Sequence, residues 1–182
     1  MNKWLFPLNL EVLGPTSDSM SFQNIDIENQ VEIPIEQHVG AFGVQRKMHV
    51  HNGIDLYCPP LDPVFAVEDG IVVDYRDWTG EGAGSPWWED TEALLIEGES
   101  GAIAYGEICN TVGLKIGDKV SRGDHIGNVI TVLKKDKGRP MTMLHFQGYK
   151  HGYTHAGGWD TNEPQPEALF DPTPFLLEAE QI

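Results

Sequence analysis

Short apolar runs of four to eight residues, punctuated by glycine and by Gly-Asp pairs, recur along most of the chain, the pattern of β-strands joined by tight turns. Val64-Phe65-Ala66-Val67 and Gly70-Ile71-Val72-Val73-Asp74-Tyr75 are β-rich and separated by Glu68-Asp69-Gly70, which predicts a hairpin. Thr91 to Glu97 and Ala102 to Ile108 read as two further strands around a turn bracketed by Gly98 and Gly101. From Val112 to Val129 apolar residues alternate with Gly-Asp turns, so the valines and isoleucines are expected to point inward. A strand from Met141 to Tyr149 follows a basic loop, Leu133 to Arg139. Asp77 to Asp90, with three glycines and Pro86 ahead of Trp87-Trp88, reads as a loop between two strands. Residues 1–38 form an irregular extension packed on the domain, which spans 39–182, and Leu176 to Glu180 form a short helix. The expected fold is mainly β: a single antiparallel sheet or sandwich with a groove, long loops and one short C-terminal helix.

Composition narrows the partners more than the fold. At 182 residues the chain buries one core, and twenty glycines and twelve prolines spread along it suit many short elements. Twelve basic against 28 acidic residues give a formal charge of -16, which repels phosphate backbones and excludes nucleic acid as an expected partner. No stretch approaches the roughly 18 apolar residues of a spanning helix, so no membrane span is expected. The opening Met1 to Leu10 is interrupted by Pro7 and Asn9 and lacks a cleavage site, so it reads as no signal peptide. The expected location is the cytoplasm, or release by lysis or with a virion. Cys58 and Cys109 are expected as reduced thiols.

The candidate chemistry lies in His51-Asn52-Gly53-Ile54-Asp55 and in Met143-Leu144-His145-Phe146. In an extended strand the Cα atoms of His51 and Asp55 would be about 13 Å apart, too far for two ligands of one ion. The backbone between them must bend, and Gly53 takes a bend without steric cost. His145 as a third ligand gives two imidazoles and one carboxylate with the fourth position open, the catalytic rather than the structural zinc arrangement. His49 shares strand parity with His51, but the site does not need it. His151 and His155 are spaced like helical ligands; Gly152, Gly157 and Gly158 argue for a loop instead, so both are expected to flank a groove. Met143 and Trp88 are further candidates for contacting substrate, with Trp78 and Trp87 either part of the same aromatic wall or anchors of their loop.

The order of these motifs resembles the LytM/lysostaphin family of zinc metallopeptidases. The resemblance rests on His-x-Gly-x-Asp, Pro60 with Val64 to Val72, Ile116-Gly117-Asp118-Lys119-Val120, Gly123, Ile126-Gly127 and Leu144-His145-Phe146, and runs from about Arg46 to Gln147. It implies zinc held by His51, Asp55 and His145, and a peptide or peptidoglycan substrate bound in a groove on a β-sheet. Two departures stand out. Where the family has the first histidine of His-x-His, this chain has Met143, and where a histidine follows Tyr-Gly it has Glu107. Methionine transfers no proton, whereas a carboxylate beside a metal serves as general base in other zinc hydrolases. The resemblance therefore implies a peptidase with Glu107 as its catalytic base, or a catalytically inactive zinc-binding relative serving as a binding or regulatory module. A lipoyl-like carrier would fit the Gly-Asp-Val motif, but it has no lysine at a hairpin tip and leaves the triad unexplained.

Overall fold

Alternation gives the central strands two buried faces. In the computed structural model, which describes residues 3–155 and 157–182, Leu94, Ile96, Ile103, Tyr105, Leu144 and Phe146 point to one side of a sheet. There they join Ile54, Leu56, Val64 and Val72 in the main core. Leu95, Ala102, Ala104 and Tyr149 point to the other side and form a smaller cluster with Leu169. Runs without polar interruption are what a strand covered on both faces requires.

The strands are β1 (Glu11–Thr16), β2 (Gln30–Pro34), β3 (Ile54–Tyr57), β4 (Pro63–Phe65), β5 (Gly70–Thr79), β6 (Thr91–Gly98), β7 (Ala102–Cys109), β8 (Lys119–Val120), β9 (His125–Val129), β10 (Met143–Tyr149) and β11 (Leu169–Phe170). Among the described residues one α-helix, α1, covers Thr173–Leu177. Nine strands form an antiparallel sheet in the order β11-β10-β7-β6-β5-β8, with β3 on β10 and β9 joining β7 to β4. The expected antiparallel, mainly β architecture is observed. Beside it β1 and β2 make a parallel pair.

The N-terminal residues belong to this core. Trp4, Phe6 and Leu8 are buried, and the chain at Leu5 to Leu8 runs along β4, with Leu5 N–H donating to the Val67 carbonyl and Phe65 N–H to that of Pro7. Trp4 stacks on Phe175 of α1 with ring centroids 4.5 Å apart. Among the described residues no helix is long and apolar enough to cross a membrane. Cys58 and Cys109 are free thiols.

Three local expectations are corrected. Val64 to Val67 and Gly70 to Tyr75 do not pair with each other: β4 pairs with β9, and β5 with β6 and β8. The Glu68-Asp69-Gly70 turn instead hands the chain from one partner to another. Gly70 packs so tightly on β6 that a Cβ there would lie 2.8 Å from the Glu97 carbonyl oxygen. Second, β5 continues through Thr79, so Trp78 sits on a strand and not in the loop. Third, the terminal helix begins earlier, with proline in its first turn, where the missing N–H costs nothing.

Candidate metal centre and cleft

Strand register builds the site. Residue 145 of β10 lies directly opposite Asp55 of β3 on one side and Gly106 of β7 on the other. Residues directly opposite in an antiparallel pair have Cβ atoms about 4.5–5.5 Å apart, so His145 and Asp55 meet by pairing alone. His51 arrives from the loop before β3, which Gly43 and Val44 pin through two backbone hydrogen bonds to His51. The need for glycine at position 53 is one of space: a Cβ would stand 2.6 Å from the Phe146 carbonyl oxygen and 2.9 Å from His145 Nε2.

All three side chains are buried. Asp55 Oδ1 lies 2.8 Å from His145 Nδ1 and 3.1 Å from His51 Nε2, and the two imidazole nitrogens are 3.3 Å apart. His51 Nδ1 donates to the Ala41 carbonyl at 2.8 Å, which fixes the tautomer and turns the Nε2 lone pair toward the other two donors. Arg46 donates to Asp55 Oδ2 at 2.5 Å and to the Val39 carbonyl at 2.8 Å, so each carboxylate oxygen has a separate task. Burial works to raise the Asp55 pKa, but the neighbouring imidazoles and the Arg46 guanidinium outweigh it and hold the carboxyl well below its usual range. Burial lowers the His145 pKa against the opposing pull of Asp55, which favours the neutral ring that a metal ligand must be. These are the described residues able to hold a metal ion.

His51 and His145 open into a cleft of about 250 Å³, lined also by Arg46, His49, Asn52, Trp78, Thr79, Trp88, Glu107, Gln147, Gly157 and Gly158. Two β-bulges aim residues into it. In β7 the register slips between the pairs Glu92–Ile108 and Ala93–Gly106, and Glu107 takes up the slack with φ +62°, a left-handed conformation uncommon for glutamate. Strict alternation would send Glu107 to the core beside Tyr105; the bulge sends it to the cleft. Its Oε2 is buried without a hydrogen-bond partner, and burial, with the charge of Asp55 adding, pushes the carboxyl well above its usual range. In β5 the slip between Asp77 and Thr79 falls on Trp78, whose indole lies over Gly106 and 5.7 Å from the His145 ring.

The other sequence candidates divide. Trp88 lines the cleft, whereas Trp87 is largely exposed. Met143 is buried, pairs with Tyr57 of β3 and does not line the cleft. His151 and His155 lie outside it: both are exposed, His151 Nε2 hydrogen-bonding the Glu99 carbonyl and His155 Nδ1 meeting Arg76. The glycine-rich loop that carries them folds back on β6 and β5, and Gly157 and Gly158 reach the cleft in their place. Arg46 and Gln147 went unnoticed in the sequence. Gln147 had a signal, since it shares strand parity with His145; Arg46, in a loop, had none.

Comparison with known proteins places this architecture. The profile of peptidase family M23 matches residues 49–156. Among solved structures, the catalytic domain of the antimicrobial peptidase lysostaphin from Staphylococcus simulans is 21% identical over 75% of this chain and 88% of that one, with a TM-score of 0.50. A Ruminococcus gnavus protein described as a glycyl-glycine endopeptidase LytM is 17% identical over 100% of this chain and 63% of that one, with a TM-score of 0.55. Both share the fold. A zinc-containing peptidase from Vibrio cholerae is 26% identical over 54% of this chain, with a TM-score of 0.40, and the match spans 26% of that protein's length. Among curated proteins none matches in sequence.

Proposed function

Because the chain belongs to peptidase family M23, we propose that it is a zinc-dependent metallopeptidase cleaving peptide bonds of peptidoglycan or a related peptide, with Glu107 as general base. The donor set fits the ion. Tetrahedral bonds of about 2.0–2.1 Å put neighbouring ligand atoms roughly 3.3 Å apart, and the three donors here stand 2.8, 3.1 and 3.3 Å from one another. His51 and His145 would ligate through Nε2 and Nδ1, and Asp55 through Oδ1, with Oδ2 retained by Arg46. Zinc, when bound, supplies Lewis acidity toward a carbonyl oxygen and toward water.

The observation that carries the reading is the buried, unpartnered Glu107 Oε2 in the same cleft as His51 and His145. Burial makes the Glu107 carboxylate a stronger base, suited to accepting a proton at Oε2 from attacking water and returning it to the leaving amine. Trp78, laid over Gly106 beside His145, shields one wall from solvent, which strengthens electrostatic contacts there. The test is release of new amines from purified cell-wall preparations by zinc-loaded protein, with zinc near one equivalent that disappears in His145→Ala. Glu107→Gln should retain zinc and lower turnover by roughly 10²–10⁴-fold. Unchanged turnover in that variant removes Glu107 from the mechanism.

A second reading, a catalytically silent zinc-binding relative, draws support from Met143, a buried thioether where the family has an imidazole. On that reading the wild type releases no amines, and Met143→His with Glu107→His creates cleavage.

A further inference from the structure

Among the described residues, five buried side-chain polar atoms have no hydrogen-bond partner, and four of them, on Arg46, Glu107, His145 and Gln147, belong to residues lining the one cleft. Glu107 Oε2 is taken up by the chemistry proposed above, and Arg46 and His145, whose orphan atoms are Nε and Nε2, are already tied to the triad through Arg46 Nη2 and His145 Nδ1. Gln147 is not. It is 1% exposed, lies two residues past His145 on the same face of β10, and its Nε2 is the unpartnered atom.

The rest of that side chain is held in place. The Tyr149 hydroxyl donates to Gln147 Oε1 at 2.9 Å and accepts from the Gly157 N–H at 3.0 Å, while Tyr149 stacks on Tyr153 at 4.8 Å. On the other side Gly53 presses on the stem, leaving no room for a Cβ against Gln147 Cγ, 2.8 Å away. A carboxamide fixed through its oxygen presents its nitrogen in one direction, and a buried donor without an acceptor is costly unless a ligand supplies one. The acceptor it suits is neutral. A neutral amide offers a carboxylate no charge to pair with, whereas a peptide carbonyl meets it as one neutral group meets another.

We infer that Gln147 is a substrate-positioning residue, its Nε2 donating to a backbone carbonyl of the bound peptide beside the scissile bond; this rests on the peptidase reading. The probe is a set of soluble cross-linked muropeptides. Binding is measured calorimetrically to zinc-loaded Glu107→Gln protein, in which the peptide survives, with and without Gln147→Glu, which keeps the acceptor for Tyr149 and removes the donor. Gln147→Met, neutral and of similar length, is the second variant. Affinity should fall about tenfold in both, equivalent to one lost hydrogen bond, with zinc content and unfolding temperature near those of the parent. With Glu107 intact, KM should rise by a similar factor and kcat change little, because the contact acts equally in ground and transition states. Undiminished affinity and KM in either folded variant, while the wild type still cleaves, overturns the role of Gln147 alone. Neither binding nor cleavage by the wild type overturns the peptidase reading and this inference with it.

Discussion

Glu107 and Arg46 both act on the triad's charge balance, in opposite senses. Burial and Asp55 raise the Glu107 pKa, so between the ordinary carboxylate value of about 4.3 and its raised folded value the unfolded chain ionises while the folded one keeps its proton. Metal-free protein should therefore lose stability as pH rises through that window. Glu107→Gln should remove this loss, its advantage growing with pH in urea titrations from pH 4 to 8; an advantage that grew toward acid pH would reverse the sign. Arg46 holds the Asp55 oxygen that faces away from the imidazoles. Its replacement by methionine should weaken zinc binding by about 10–100-fold, as outer-shell partners of ligands generally do, measured by competition with a chelator. An affinity equal to wild type would make the ion pair a bystander.

At the level of elements, alternation was readable and its interruptions were not. Leu94 to Ile96, Ile103 to Tyr105 and Leu144 to Phe146 announced β6, β7 and β10, because an unbroken apolar run suits a strand covered on both faces. The triad was equally legible, since one motif placed His51 and Asp55 and another placed His145. What escaped were the bulges that carry Trp78 and Glu107 to the cleft, for a single extra residue leaves no trace in a period-two pattern. The pairing of β4 with β9 escaped for a related reason: a turn sequence states that the chain reverses, not which strand it then meets. The chain bends at Gly53 as expected, and the structure adds a second reason for glycine, its close approach to β10. Gly53→Ala should cost about 1–3 kcal/mol in denaturant unfolding through overpacking, and should lower zinc occupancy by displacing His145. An alanine variant as stable and as metal-loaded as wild type would contradict the crowding.

For the molecule as a whole, the N-terminal segment is part of the core. Trp4, Phe6, Leu8, Val31 and Ile33 are each no more than 3% exposed, and at about 1.5–3 kcal/mol per buried side chain their loss rivals the roughly 5–15 kcal/mol stability of a typical domain. Removing residues 1–38 should leave the remainder without a cooperative unfolding transition by circular dichroism; a sharp transition near the full-length temperature would show that 39–182 stands alone. The same segment meets the far end of the chain: Leu5 bridges Glu180, and the Phe6 N–H donates to the Glu180 carbonyl. The fold is thus nearly a closed ring, with its two cut edges laid side by side and sutured by backbone bonds. Fraying at either edge therefore loosens the other, so β4 and α1 share one fate although more than a hundred positions separate them.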